Sequence, residues 1–170
     1  MKQLILGGAR SGKSRLAEQR ATDSGLEVAV IVTMMPGDDP ELQARIARHR
    51  ADRPAHWRLV EAPTELAAAI EPLLEAGCCV LVDCLTLWLT NLLLAGDDDA
   101  MERELAALNR LVGESRGELL LVSNEVGWGI VPMGELSRRF QDRAGWLHQR
   151  LAQLCDRVTL CVAGLPMEVK

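Results

Sequence analysis

Leu4-Ile5-Leu6-Gly7-Gly8-Ala9-Arg10-Ser11-Gly12-Lys13-Ser14 is the stretch on which the fold turns. A short apolar run, a buried strand, ends in paired glycines. Helical spacing then begins at Lys13, carries Leu16, Ala17, Arg20 and Ala21 on one face, and stops near Gly25. The residues from Gly7 to Ser14 fit G-x-x-x-x-G-K-S/T between a strand and a helix, the context that gives this motif its meaning. Glycines let backbone N–H groups converge on phosphate oxygens, and the helix N-terminus adds partial positive charge. Lys13 offers a point charge to the β- and γ-phosphates, and Ser14 a hydroxyl to Mg²⁺. A chance glycine-rich turn would meet the four fixed positions in roughly 1% of chains this long. The loop is therefore read as a triphosphate cradle, although the motif names neither the base nor the reaction.

Outward from the loop, strands and helices alternate. Residues 28–33 are apolar and β-branched, a buried strand. Pro36-Gly37-Asp38-Asp39-Pro40 is a turn, and Pro40 can open a helix reaching about Arg53. Residues 57–61 alternate like a strand, and Thr64 caps a helix that ends at Gly77. A second apolar strand covers 78–82 and stops at Asp83. A helix over 85–94 follows, and Asp97-Asp98-Asp99 places negative charge at the start of the next one. Residues 118–122 form a third apolar strand, 134–154 a long helix, and 158–162 a last strand. Strands apolar on both faces imply a largely parallel sheet with helices on both sides, an α/β fold in a single domain over 1–170. Ligands of such sheets collect beyond the carboxyl ends of the strands, here after Leu6, Val32, Val82 and Val122.

Composition narrows the function classes. The chain has 170 residues, 48% hydrophobic and 25% charged, with a net charge of -5. That balance belongs to a globular protein with a sizeable core, not to a disordered chain. The negative charge gives no field favouring nucleic acid or an anionic membrane, so an anionic ligand needs a local basic cluster. The nearly apolar stretch 78–95 is broken by Asp83, Thr86, Thr90 and Asn91 and reads as strand plus helix, not a membrane span. Five cysteines form no C-x-x-C pair, and no signal peptide precedes the first strand, which points to a reducing cytoplasm.

Asp83 ends an apolar strand, where a carboxylate commonly holds Mg²⁺; it could also cap the following helix, and the two roles are not exclusive. No N-K-x-D run follows any strand, which disfavours a GTPase switch. Arg45, Arg48, His49, Arg50 and Arg53 crowd one helix. They form either a solvated basic face or a phosphate-holding set in which His49 is base, acid or nucleophile. A neutral imidazole is nucleophilic, and attack on an α-phosphate would give a nucleotidyl-histidine. Spacing alone does not choose among His49, His56 and His148. Glu125, after the third apolar strand, could orient a nucleophile, bind Mg²⁺ or simply hydrogen-bond loop amides. Trp88, Trp128 and Trp146 could line a ligand cleft but belong more often to a core or interface.

Beyond the phosphate loop, the chain carries Arg45-Ile46-Ala47-Arg48-His49-Arg50, Arg53-Pro54-Ala55-His56-Trp57-Arg58, Asp83-Cys84-Leu85-Thr86-Leu87-Trp88-Leu89-Thr90-Asn91 and Ser123-Asn124-Glu125-Val126-Gly127-Trp128-Gly129-Ile130-Val131-Pro132, in that order. Together these resemble the bifunctional adenosylcobinamide kinase/adenosylcobinamide-phosphate guanylyltransferase family of cobalamin biosynthesis, across essentially the whole chain. The resemblance implies a P-loop NTPase-like domain with two reactions. ATP or GTP phosphorylates the aminopropanol hydroxyl of adenosylcobinamide. GTP then donates GMP to a histidine, and adenosylcobinamide phosphate displaces the histidine to give adenosylcobinamide-GDP. The guanylylated histidine maps onto His49. Nucleotide contacts map onto Gly7, Gly8, Ala9, Arg10, Ser11, Gly12, Lys13, Ser14, Thr33, Met34, Met35, Arg50, Ala51, Asp52, Arg53, Glu61 and Asp83, with Ser14 and Asp83 at Mg²⁺. Met34 and Met35 depart from the more polar residues expected after Thr33, which leaves backbone contacts there. A homotrimer is also implied.

Overall fold

The computed structural model describes residues 1–35 and 54–170. The expected turn at 36–40 and the Arg/His helix, with His49, Arg50, Ala51, Asp52 and Arg53, lie outside the described residues. In chain order the elements are β1 (Lys2–Gly7), α1 (Lys13–Asp23), β2 (Val28–Val32), β3 (Arg58–Glu61), α2 (Leu66–Glu75), β4 (Cys79–Asp83), α3 (Leu85–Ala95), α4 (Asp98–Glu114), β5 (Glu118–Asn124), α5 (Glu135–Leu154), β6 (Arg157–Val162) and β7 (Leu165–Glu168). The strands form one sheet in the order β3-β2-β4-β5-β1-β6-β7. Every pairing is parallel except that of β6 with β7.

Side chains alternate across each strand, so the sheet feeds two cores. Leu4, Ile31, Val80, Val82, Leu119, Leu121 and Val158 point into a large cluster with α2, α3, α4 and α5. Ile5, Val30, Leu81, Leu120, Val122 and Cys161 point the other way, against Ala17 and Ala21 of α1. Helices thus cover both faces of an α/β P-loop fold. At about 1.5–3 kcal/mol per buried aliphatic side chain, these two layers are the main source of stability. Trp88 is fully buried in the larger one, its indole N–H donating to the Thr64 carbonyl at 2.6 Å.

Register brings the site together. Gly7 lies opposite Asn124 on one side and Cys161 on the other, while Val32 lies opposite both Asp83 and Glu61. The carboxyl ends of the parallel strands therefore form one rim.

Three local expectations change. The strand β7 was not expected. Its residues are all exposed, and Pro166 removes an amide donor, as edge strands tolerate. Glu168 secures it, bonded to Arg20 of α1 at 2.7 Å and to Arg157 of β6 at 2.8 Å. Thr64 is not a side-chain cap: Glu65 is the N-cap of α2, and Thr64 contributes its carbonyl, which accepts from the Leu66 amide. Cys84, not Asp83, is the N-cap of α3. The Asp83 carboxylate is thereby released from the capping role. By contrast, the Asp97 side chain does cap α4, accepting from the Ala100 amide at 2.9 Å.

Candidate active site at the phosphate loop

The loop between β1 and α1 is built for close backbone approach. Gly12 takes φ 92° at the N-cap of α1, with no side chain capping the helix. The first-turn amides are left for a ligand, as anion sites at helix N-termini require. Gly8, Ala9 and Arg10 are exposed, whereas Ser11 and Lys13 are buried. The Lys13 ammonium donates to the Gly8 carbonyl at 3.1 Å, lying across its own loop. The Ser11 hydroxyl is buried without a hydrogen-bond partner among the described residues, an orphaned donor inside the cradle.

Two glycines are tightly enclosed. A Cβ on Gly7 would lie 2.4 Å from the Ser11 hydroxyl oxygen and 2.8 Å from the Cys161 carbonyl oxygen. A Cβ on Gly12 would lie 3.1 Å from the Cα of Gly164. Gly164 sits in the β6–β7 turn and donates its amide to the Ser11 carbonyl at 3.0 Å. The hairpin absent from the sequence reading thus buttresses the phosphate loop.

Asp83, at the end of β4, accepts from the Ser14 hydroxyl at 3.5 Å. A hydroxyl and a carboxylate meeting at the loop's mouth are hard oxygen donors of the kind Mg²⁺ takes. No cluster of three or more His, Cys, Asp or Glu able to hold a metal occurs among the described residues. Mg²⁺ commonly takes one or two protein oxygens and completes its shell with phosphates and water. Ser14 and Asp83 therefore fit the ion as a shared protein–nucleotide ligand set.

The remaining described positions divide. Thr33 is fully buried; its hydroxyl donates to the Cys84 carbonyl at 2.7 Å and accepts from the Cys84 amide at 3.3 Å. Its carbonyl accepts from the Asn91 side-chain amide at 2.6 Å, and Asn91 also donates to the Pro63 carbonyl at 2.9 Å. Thr33 therefore joins β2 to the turn after Asp83. Met34 is half-buried and Met35 exposed, directly beyond it. Glu61 is exposed at the end of β3, level with Val32 and so with Asp83. His56 is exposed on the turn leading into β3.

Beneath the loop lies a polar group the sequence reading did not assemble. The Glu125 amide donates to the Gly7 carbonyl at 3.0 Å. One carboxylate oxygen of Glu125 accepts from the Gly127 amide at 2.6 Å, and the other stands 3.8 Å from Nδ1 of His148. Nε2 of His148 is 2.8 Å from the Ser123 hydroxyl, itself 3.5 Å from that of Thr86. The Thr86 hydroxyl accepts from the Asn124 amide at 2.8 Å. Burial pushes the His148 imidazole below its ordinary pKa, and the Glu125 charge opposes this without overcoming it. A signal was present: Ala144, Leu147, His148 and Leu151 make one buried stripe of α5, where a histidine is out of place.

Beside this group, an apolar cleft of about 350 Å³ opens between α3, α5 and the 126–132 loop. Trp128 and Ile130 on that loop, and Met133 directly after it, stand exposed. Trp146 is also exposed, with the Arg143 guanidinium 5.6 Å from its ring centroid. The described cysteines are all free thiols, and no described helix is long and apolar enough to cross a membrane.

Comparison with known proteins extends these observations. The model of the family described as cobinamide kinase / cobinamide phosphate guanyltransferase matches residues 3–169. The chain is 60% identical to the bifunctional adenosylcobalamin biosynthesis protein CobP of Pseudomonas aeruginosa, over all of this chain and 98% of that protein. It is 40% identical to the bifunctional adenosylcobalamin biosynthesis proteins CobU of Salmonella typhimurium and Escherichia coli, over 98% of each chain. Both activities in the family description are group transfers, so the chain is an enzyme. The likeness runs through every strand that shapes the rim, and the chain belongs to the cobinamide kinase/cobinamide phosphate guanyltransferase family.

Proposed function

We propose that the chain catalyses two successive transfers to one corrinoid acceptor in adenosylcobalamin biosynthesis. In the first, the γ-phosphoryl group of ATP or GTP passes to the aminopropanol hydroxyl of adenosylcobinamide. In the second, a neutral nitrogen of His49 attacks the α-phosphorus of GTP. An N–P bond forms as the bond to pyrophosphate breaks. A phosphate oxygen of adenosylcobinamide phosphate then attacks the same phosphorus, the N–P bond breaks, and adenosylcobinamide-GDP leaves.

The observation that carries the reading is the Ser14–Asp83 contact at the mouth of a phosphate loop, in a chain matched end to end by the family. Loop amides and Lys13 hold the β- and γ-phosphates, while Ser14 and Asp83 hold Mg²⁺. When bound, the ion supplies charge neutralisation for the phosphates. Thr33, Met34, Met35 and Glu61 line the rim where the base and ribose would rest. Arg50, Ala51, Asp52 and Arg53 belong to the same nucleotide set as His49. A single catalytic domain, a cytoplasmic setting and a homotrimer complete the reading; the free thiols support the second, and sedimentation tests the third.

The test uses adenosylcobinamide with GTP labelled at either the α- or the γ-phosphate. Label from the γ-position should reach the corrinoid. Label from the α-position should first mark the protein, in an acid-labile and base-stable bond, and then the corrinoid. If His49→Ala labels as fully as the parent, His49 is not the nucleophile. If γ-label moves and no protein is marked, the chain is a simple kinase.

A further inference from the structure

The carboxyl end of β5 occupies a privileged place. β5 lies between β1, which carries the phosphate loop, and β4, which carries Asp83. The Ser14–Asp83 contact spans it at 3.5 Å. Whatever binds between the loop and Asp83 therefore sits over the end of β5, and Glu125 is the first residue beyond it.

Glu125 is held there from several directions. Its amide is tied to Gly7 and one carboxylate oxygen to the Gly127 amide. Its side chain remains 21% exposed, so the carboxylate is braced without being sealed off. An ionised carboxylate offers about four acceptor positions, and the Gly127 amide takes one. The brace on the second oxygen is His148, 7% exposed and anchored through Ser123 to Thr86 at the start of α3. With the Ser123 hydroxyl donating to Nε2, the Nδ1–H of a neutral ring faces Glu125. At 3.8 Å this contact is longer than a hydrogen bond and has room to tighten when substrate arrives. Burial favours the neutral ring, whose Nδ1–H then faces the carboxylate as a donor.

We propose that Glu125 is the general base of the phosphoryl transfer and that His148 is its positioning residue. The proposal rests on the kinase half of the function proposed above. The acceptor hydroxyl oxygen forms a bond to the γ-phosphorus, and its proton passes to the Glu125 oxygen that does not bind Gly127. The bond from the γ-phosphorus to its bridging oxygen breaks, and the nucleoside diphosphate leaves with that electron pair. The apolar cleft walled by Thr90, Leu93, Val126, Pro132 and Phe140 adjoins Glu125 through Val126, so an apolar acceptor body settled there would bring its hydroxyl toward the carboxylate.

The experiment compares parent, Glu125→Gln and His148→Gln, measuring transfer of γ-label to adenosylcobinamide and, separately, protein labelling from α-labelled GTP. Glu125→Gln keeps an oxygen for the Gly127 amide but cannot accept the proton. Its kcat for phosphoryl transfer should fall on the order of 100-fold or more. The ratio of corrinoid phosphorylation to protein labelling should fall at least about tenfold, because only the first reaction uses this base. His148→Gln should lower the same kcat about tenfold to a hundredfold, as a misaligned base does, with the nucleotide KM within about twofold. Glu125→Gln turning over within about twofold of the parent overturns the assignment alone. An equal fall of both rates together with a lowered melting temperature also overturns it, by making Glu125 merely structural. A parent that phosphorylates no adenosylcobinamide refutes the kinase reading and this assignment with it.

Discussion

The contact between the phosphate loop and the β6–β7 turn makes Gly12→Ala a sharp test of how the site is held. Gly12 has φ 92°, where an L-residue costs about 1–2 kcal/mol more than glycine. The added Cβ would meet the Gly164 Cα at 3.1 Å, a backbone atom that cannot rotate away. Displacing packed backbone adds about 1–3 kcal/mol. The sum is about 2–5 kcal/mol, on the order of 10 °C in Tm for a chain of this length. Gly8→Ala is the internal control. Nothing lies within 4 Å of its Cβ position and its φ is outside the left-handed range, so its stability should stay within about 0.5 kcal/mol of the parent. Denaturant unfolding without nucleotide, read from the midpoint at constant slope, separates this effect from any loss of binding. If Gly12→Ala and Gly8→Ala unfold at the same midpoint, the buttress reasoning is wrong.

Asp83→Asn should weaken binding of Mg²⁺–GTP by about tenfold to a hundredfold, the loss expected when a charged partner goes, and should leave metal-free binding nearly unchanged. Calorimetry with and without a chelator reads this, and an unaltered Mg²⁺ enhancement would count against Asp83 as a ligand. Asn91→Ala should cost about 2–4 kcal/mol by leaving the Thr33 and Pro63 carbonyls unpaired, seen as an earlier urea transition. For Glu168, desolvation raises the carboxyl pKa, but hydrogen bonds from Thr159 and Arg157 and the charge and hydrogen bond of Arg20 bring it below the ordinary 4.5. Its stabilisation is therefore present above that value and lost as pH falls through the lower folded value. The stability gap between parent and Glu168→Gln should narrow below about pH 4.5, and the exposure of the Glu168 carboxylate, at 42%, limits that gap to about 0–1 kcal/mol at pH 7. A gap that widens in acid would reverse the sign.

The parts of the fold legible in the residues are those that local chemistry dictates. Strands such as Val28–Val32 and Cys79–Asp83 are apolar on both faces because helices or neighbouring strands surround them, and no other soluble setting tolerates such runs. The phosphate loop is legible because its glycines answer local demands, the φ of Gly12 and the crowding at Gly7. β7 is illegible for the opposite reason: exposed on all four residues and carrying Pro166, it is held by Glu168 contacts with residues 148 and 11 positions away. Thr64 misleads because a hydroxyl before a helix looks like a cap, whereas Trp88, distant in sequence, claims its carbonyl. The same logic governs the site. Asp83 is visible at the end of an apolar strand, but its release from capping depends on where α3 begins. Glu125 after an apolar strand and His148 in an apolar stripe each stand out singly, but nothing in the sequence pairs them; only the packing of α5 against β5 brings them within 3.8 Å.

The buttress also bears on when the protein becomes competent. Residues 7–14 are synthesised before the strands that flank them: β1 is stitched on one side to residues 119–124 and on the other to residues 157–161. Gly164 must then settle against Gly12 before the loop's floor is complete. Pairings so remote in sequence form slowly, since long stretches of chain must close before the contacts reward them. The triphosphate cradle, synthesised before the strands that flank it, is thus among the last pieces to be assembled. A nucleotide captured by it stabilises only the finished protein, so ligand-induced protection gives a stopwatch for the final step of maturation.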